Sequence, residues 1–116
     1  MTRWHVHPLI RGMYLIDTVL LTGNDPKPRR PVVVLAQPAY GLTSVPVLAR
    51  TTDTSIDGVR HPRNNGLQLS KDGMFAYRYL RHVDVRHFTA SPNAVVFLGM
   101  LEPEYYAWVQ QWWEER

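Results

Sequence analysis

The sequence predicts a small, strongly bent, mainly antiparallel β-sheet or barrel closed by one C-terminal helix. Three observations carry that expectation. Short runs rich in Val, Ile, Leu, Tyr and Phe recur between residues 13 and 98, broken by Gly, Pro, Asn and Asp. Asp72-Gly73 stands between two of these runs and is a strong short-range hairpin signal. Helical spacing of apolar residues is confined to the end of the chain, after Glu102.

Residues 13–21 (MYLIDTVLL) form the first expected strand by their β-branched, aromatic and aliphatic content. Gly23, Asn24, Pro26 and Pro28 make residues 22–30 a loop. Residues 31–36 (PVVVLA) are short, continuous and β-branched, as expected of a strand buried on both faces. After the turn 37–41, residues 45–50 form a third strand, whose Pro46 lacks an N–H and pushes its start toward a sheet edge. Residues 51–66 are polar and read as one long functional loop. Residues 67–70 and 75–83 are two strands around Lys71-Asp72-Gly73, and residues 94–98 a last buried run after a turn at 91–93. Residues 102–115 form the helix, with Pro103 suited to its first position and Tyr105, Trp108, Val109, Trp112 and Trp113 as its apolar stripe.

A chain of 116 residues and 13.5 kDa is one domain, too short for two separate cores of useful size. The absence of cysteine excludes disulfides, thiolate-bound zinc, iron–sulfur clusters and a cysteine nucleophile. No apolar run of about 18 residues predicts a membrane span. The opening Met1-Thr2-Arg3-Trp4-His5 lacks the apolar stretch of a signal peptide, so a cytoplasmic protein is expected.

Charge is unevenly placed. The net charge is +3, yet residues 1–100 hold twelve of the thirteen Lys+Arg against six Asp, while all four Glu lie in the last sixteen residues. Eleven of the basic residues are Arg, whose planar fork matches phosphate oxygens. A nucleic-acid partner and a merely solvated Arg-rich surface both fit this pattern.

The common catalytic signatures are missing: there is no G-x-S-x-G, no G-x-x-x-x-G-K-[ST], no H-E-x-x-H and no G-x-G-x-x-G. His5 and His7 would share one face of a strand and so offer two metal ligands, but no third ligand is evident. No metal or other cofactor is expected. His61, His82 and His87 read as surface or structurally satisfied histidines unless a site forms around them.

Two motifs stand out by their order. Arg30-Pro31 precedes the apolar run Val32-Val33-Val34-Leu35, and Val45–Arg50 runs into Thr51-Thr52. Further along come Leu69, Asp72-Gly73 and Leu80-Arg81-His82-Val83-Asp84, while Arg11-Gly12 precedes the first strand. Together these look like the MazF/PemK/Kid family of toxin endoribonucleases, from bacterial toxin–antitoxin pairs. The resemblance spans roughly residues 10–113 and rests on order and spacing, since each motif alone is common. It implies one MazF/PemK-like domain over residues 1–116, with residues 1–10 as an N-terminal extension, on an SH3-like bent β-barrel of the MazF/CcdB type. It also implies a homodimer, a cognate antitoxin with an acidic tail and a single-stranded RNA substrate, with no membrane and no cofactor.

The implied chemistry is metal-independent. A ribose 2′-OH attacks the neighbouring phosphorus, leaving a 2′,3′-cyclic phosphate and a 5′-OH end. Arg30 matches the family's catalytic arginine, suited to two-pronged stabilisation of the phosphorane oxygens. Thr51 matches its catalytic threonine, and Thr52 is a second hydroxyl for the same pocket. Arg78, Tyr79, Arg81 and His82 are the expected RNA-binding residues, with His82 a candidate proton shuttle. Tyr40, Tyr77 and Tyr79 offer rings for stacking on bases, or for core and dimer packing. The Trp-rich helix is expected in the core and interface rather than under bases, since its glutamates repel phosphate.

The chain departs from the family at two places. Met13 stands where an acid commonly follows the opening glycine. Arg78 and Tyr79 occupy the place of an Asp-Gln pair whose Asp serves as acid/base in some members. Two other functions therefore stay open: a CcdB-like gyrase poison, which Trp112-Trp113 near the terminus suits, and an inactive nucleic-acid-binding or regulatory module.

Overall fold

The computed structural model describes residues 8–21, 24–39, 41–90 and 93–116. Six strands form one antiparallel sheet: β1 (Gly12–Asp17), β2 (Arg29–Val34), β3 (Ser44–Thr51), β4 (Gly58–His61), β5 (Gly73–Asp84) and β6 (Val95–Met100). Their order is β4-β5-β3-β2-β1-β6. A short helix, α1 (His87–Ala90), precedes β6, and α2 (Pro103–Glu115) ends the fold with Pro103 at its start as expected. The mainly antiparallel β architecture with a C-terminal helix is thus present. The sheet is open, with β4 and β6 at its edges. A 3₁₀ turn at Asn65–Leu67 reaches across toward β6, where Leu67 Cδ2 lies so close to Gly99 that a Cβ there would sit 2.8 Å from it.

Both faces of the sheet are packed. Met13, Val33, Leu48, Phe75 and Leu101 join Tyr106 and Val109 of α2 on one face. Tyr14, Ile16, Val32, Val34, Val45, Val47 and Val83 join Phe88 of α1 on the other. This corrects the expectation of a single core. The uninterrupted apolar run of β2 sends Val33 to one cluster and Val32 and Val34 to the other, so one sheet serves both.

Several elements differ from expectation. The first strand stops at Asp17, and residues 18–20 turn as a 3₁₀ helix with the Thr18 hydroxyl donating to the Lys27 carbonyl at 2.6 Å. β3 is central, not an edge, despite Pro46. Its carbonyl accepts from Leu35 N–H just beyond the end of β2, so the missing donor would have faced Leu35 O, and that oxygen takes a hydrogen bond from the Tyr106 hydroxyl at 3.3 Å. The segment 51–66 contains a strand, β4, that pairs with β5 from Gly58↔Ala76 to His61↔Gly73. Residues 67–70 are no strand: Gln68 takes a left-handed conformation (φ 59°), and a lone Asn64↔Leu69 bridge remains. Asp72-Gly73 therefore ends a long β4–β5 connection, which the Asp72 carboxylate helps close by accepting from Arg63 N–H at 2.9 Å. β6 is partly exposed, not a buried run. On α2 the buried residues are Tyr106 and Val109, while Trp108 is 64% exposed.

Candidate functional site

Strand alternation delivers four of the sequence-predicted residues to one face. Arg30 shares its side of β2 with Val32 and Val34, and Thr51 its side of β3 with Val45, Val47 and Ala49. The β2–β3 ladder ends at Val32↔Ala49, and Arg30 and Thr51 each lie two residues beyond that pair on its side of the sheet. On the other side of β3, Val47 pairs with Arg81 and Val45 with Val83, so Arg81 and Tyr79 belong to this face as well.

Local irregularity aims the ring and the third cation. The β3–β5 register jumps from Leu48↔Leu80 to Arg50↔Phe75, so residues 76–79 of β5 bulge opposite Ala49. Tyr79 leaves this bulge as a half-buried ring with three guanidinium groups around it. Arg30 Cζ and Arg81 Cζ each lie 5.2 Å from its centroid, and Arg78 Cζ lies at 6.0 Å. Attraction to the ring face offsets part of the repulsion among the cations.

Arg30 is only 7% exposed and is held by a carboxylate that sequence reading missed. Asp25 receives Arg30 Nε at 2.8 Å and Nη2 at 3.1 Å, a two-pronged pair with both side chains nearly buried. The Arg30 hydrogen bond holds the Asp25 carboxyl below its ordinary range, with burial opposing and Lys27 N–H and the Arg81 charge assisting. The available signal was an acid between the loop's Asn24 and Pro26, five positions before Arg30. The Thr51 hydroxyl oxygen accepts from Asp53 N–H at 3.1 Å, and Thr51 itself is nearly buried.

The remaining expected residues divide. Thr52 follows Thr51 and is exposed at the bend after β3. Arg78 is exposed and reaches the cluster only through Tyr79. His82 lies elsewhere: alternation on β5 sends it to the opposite face, opposite Pro46, in a hollow shared with Leu42 and Trp113. The expected His82 proton shuttle is therefore not beside Arg30. Tyr77 stacks on Trp112, with centroids 4.7 Å apart and planes 11° from parallel. Tyr40, His5 and His7 lie outside the described residues. Among the described residues no group of three or more His, Asp or Glu is gathered as for a metal.

A second polar cluster lies on the other face. Arg50 is buried, and its Nε donates to His61 Nδ1 at 3.1 Å, while Nη2 donates to the carbonyls of His61 at 3.0 Å and Lys71 at 2.8 Å. Because Nδ1 accepts, the imidazole proton sits on Nε2, which donates to Glu102 at 2.9 Å. Burial holds the His61 pKa below its ordinary value, against the opposing pull of Glu102. Burial pushes Glu102 up, but its bond from His61 helps bring the net shift below the ordinary range. These residues are distant in sequence, so no local pattern announces them.

Among the described residues no helix is long and apolar enough to cross a membrane. A scan of protein families, a search of curated proteins and a search of solved structures each return no match for the chain.

Proposed function

We propose that this chain is a metal-independent endoribonuclease of the MazF/PemK type, its open sheet being the SH3-like bent barrel of that family. In this reading it is the toxin of a toxin–antitoxin pair and acts as a homodimer on single-stranded RNA. One observation carries the proposal. The Arg30 fork sits beside Arg81 on the face that also holds the Thr51 hydroxyl, with an anionic group already bound to it.

Asp25 occupies the place on Arg30 that a phosphate would take, since carboxylate and phosphate oxygens match the same two donors. A scissile phosphate that displaces Asp25 gains Arg30 as a two-pronged partner, Arg81 as a second charge and Thr51 O–H as a donor. These groups stabilise the extra charge of the phosphorane when the 2′-oxygen attacks. Released from Arg30, the Asp25 carboxylate returns toward its ordinary basicity and becomes the acceptor for the 2′-OH proton. As the P–O5′ bond breaks, the departing 5′-oxygen takes a proton from the protonated Asp25 or from water and leaves as the 5′-OH. Arg78, in the place of the family's acid, contributes charge and no proton transfer in this scheme.

The test is incubation of the purified chain with long single-stranded RNA in EDTA, followed by mapping of the ends. Cuts with 5′-OH ends are expected, and Arg30→Ala and Thr51→Ala should each slow them by about 100-fold or more. Intact RNA from the folded protein overturns the reading and favours a binding module or a gyrase-directed toxin.

A further inference from the structure

A slot between β4 and α2 lies outside the Arg30–Thr51 site. Its volume is about 260 Å³, and Gly58, Val59, Arg60, Tyr77, Tyr105 and Trp108 line it. Three of these six residues are aromatic and none is acidic. Trp108 is 64% exposed, against the burial expected from its place in the helical stripe. Trp108 therefore presents an indole face to solvent at the edge of the slot, where it is open to a further partner. Tyr77 is steadied from behind by its stack on Trp112, which fixes one wall.

Charge identifies the occupant. Arg60 is exposed and has no ion pair among the described residues. An adjoining hollow is lined by Ser55, Ile56, Asp57, Tyr77 and Arg78, so one carboxylate stands beside its cation, and Arg78 Cζ lies 6.0 Å from the Tyr79 ring that Arg30 and Arg81 also approach. Guanidinium groups and aromatic rings thus run in sequence from the phosphate site to the slot. A positive track interleaved with π-faces is the arrangement that holds single-stranded nucleic acid, with phosphates on the cations and bases on the rings. An acidic peptide would use the cations but leave the rings without partners.

We infer that the Tyr77–Trp108 slot is a nucleobase subsite, which takes an unpaired base of a single strand whose backbone passes Arg78 to the Arg30 cluster. It rests on the reading of that cluster as a phosphate site, and it fixes what the flanking part of the substrate must be. The occupant is an unstacked base with its phosphate near Arg60, so duplex RNA is excluded.

The experiment measures fluorescence anisotropy of a labelled, short single-stranded 2′-O-methyl RNA, which lacks the attacking hydroxyl and is not cut. Trp108→Ala should weaken its binding by about 5- to 100-fold, the range for loss of one base–ring stack, while Trp108→Phe retains most of it. Arg60→Ala should weaken binding and flatten its salt dependence. The inference is overturned if Trp108→Ala binds as wild type does, if wild type takes no single strand, or if a duplex binds equally well. Binding unchanged in Trp108→Ala is also the outcome expected of a slot made for a protein side chain. Cleavage read separately in Arg30→Ala distinguishes the two failures. Loss of cutting there with unchanged Trp108→Ala binding removes the subsite alone, whereas no cutting by wild type with weakened Trp108→Ala binding removes the nuclease reading alone.

Discussion

His61 is the residue whose chemistry the structure defines most sharply. Its ring is fully buried, accepts from Arg50 at Nδ1 and donates to Glu102 from Nε2, so the neutral tautomer satisfies both neighbours. A second proton would turn Nδ1 into a donor facing the Arg50 donor, with two cations in contact. Burial first, and the Arg50 charge with it, hold the folded pKa below the unfolded value of about 6.5, against the pull of Glu102. The sign follows from proton uptake. Above pH ~6.5 both states hold neutral His61 and its contribution is complete; as pH falls below that, the unfolded chain binds the proton first and stability declines down to the depressed folded pKa. The midpoint of thermal unfolding should therefore drop between pH 7.5 and pH 5.5. In His61→Gln this pH dependence should flatten, at a lower overall midpoint because a buried polar network has been broken. An equally steep decline in that variant would assign the effect to other groups.

At the level of elements, what could be read from the chain depended on whether a pattern was local. The runs that became β1, β2, β3 and β5, and the helix start at Pro103, were legible because β-branched content and the proline position act within a few residues. β4 was not, since Gly58–His61 is polar in sequence and becomes a strand only by pairing with β5. Pro46 misled for the same reason: its cost depends on which carbonyl it fails to serve. That carbonyl, Leu35 O, is capped from α2 by the Tyr106 hydroxyl. Tyr106→Phe should consequently destabilise the fold by about 0.5–1.5 kcal/mol, read from the midpoint of urea unfolding with the slope unchanged. The candidate site divides in the same way. Arg30 and Thr51 are approachable from their motifs, whereas Asp25 needed the loop's path and the Arg50–His61–Glu102 chain needed the whole topology.

Across the whole molecule, the excess positive charge of residues 1–100 gathers meaning through placement. Folding ties Arg50 into carbonyls and His61, and pairs Arg29 with Asp17 at 2.9 Å and Arg86 with Asp84 at 2.7 Å. The Arg86 hydrogen bond holds the Asp84 carboxyl at about 2, so that pair stays ionised at neutral pH. Arg78 and Arg81 make no ion pair among the described residues, and they meet Arg30 at Tyr79. The twelve basic residues of 1–100 therefore overstate the number of cations that a polyanion can use. If Arg30, Arg60, Arg78 and Arg81 are the ones that meet phosphates, the logarithm of RNA affinity should fall with the logarithm of salt at a slope of about −3, near −0.7 for each contact. Arg81→Ala should reduce the steepness of that slope by about 0.7, whereas Arg86→Ala, removing a cation already neutralised by Asp84, should leave it unchanged. Titration of an uncleavable single strand at several salt concentrations measures both slopes. Equal slopes for Arg81→Ala and wild type would show that the cluster around Tyr79 is no phosphate site, whatever the total charge of the chain.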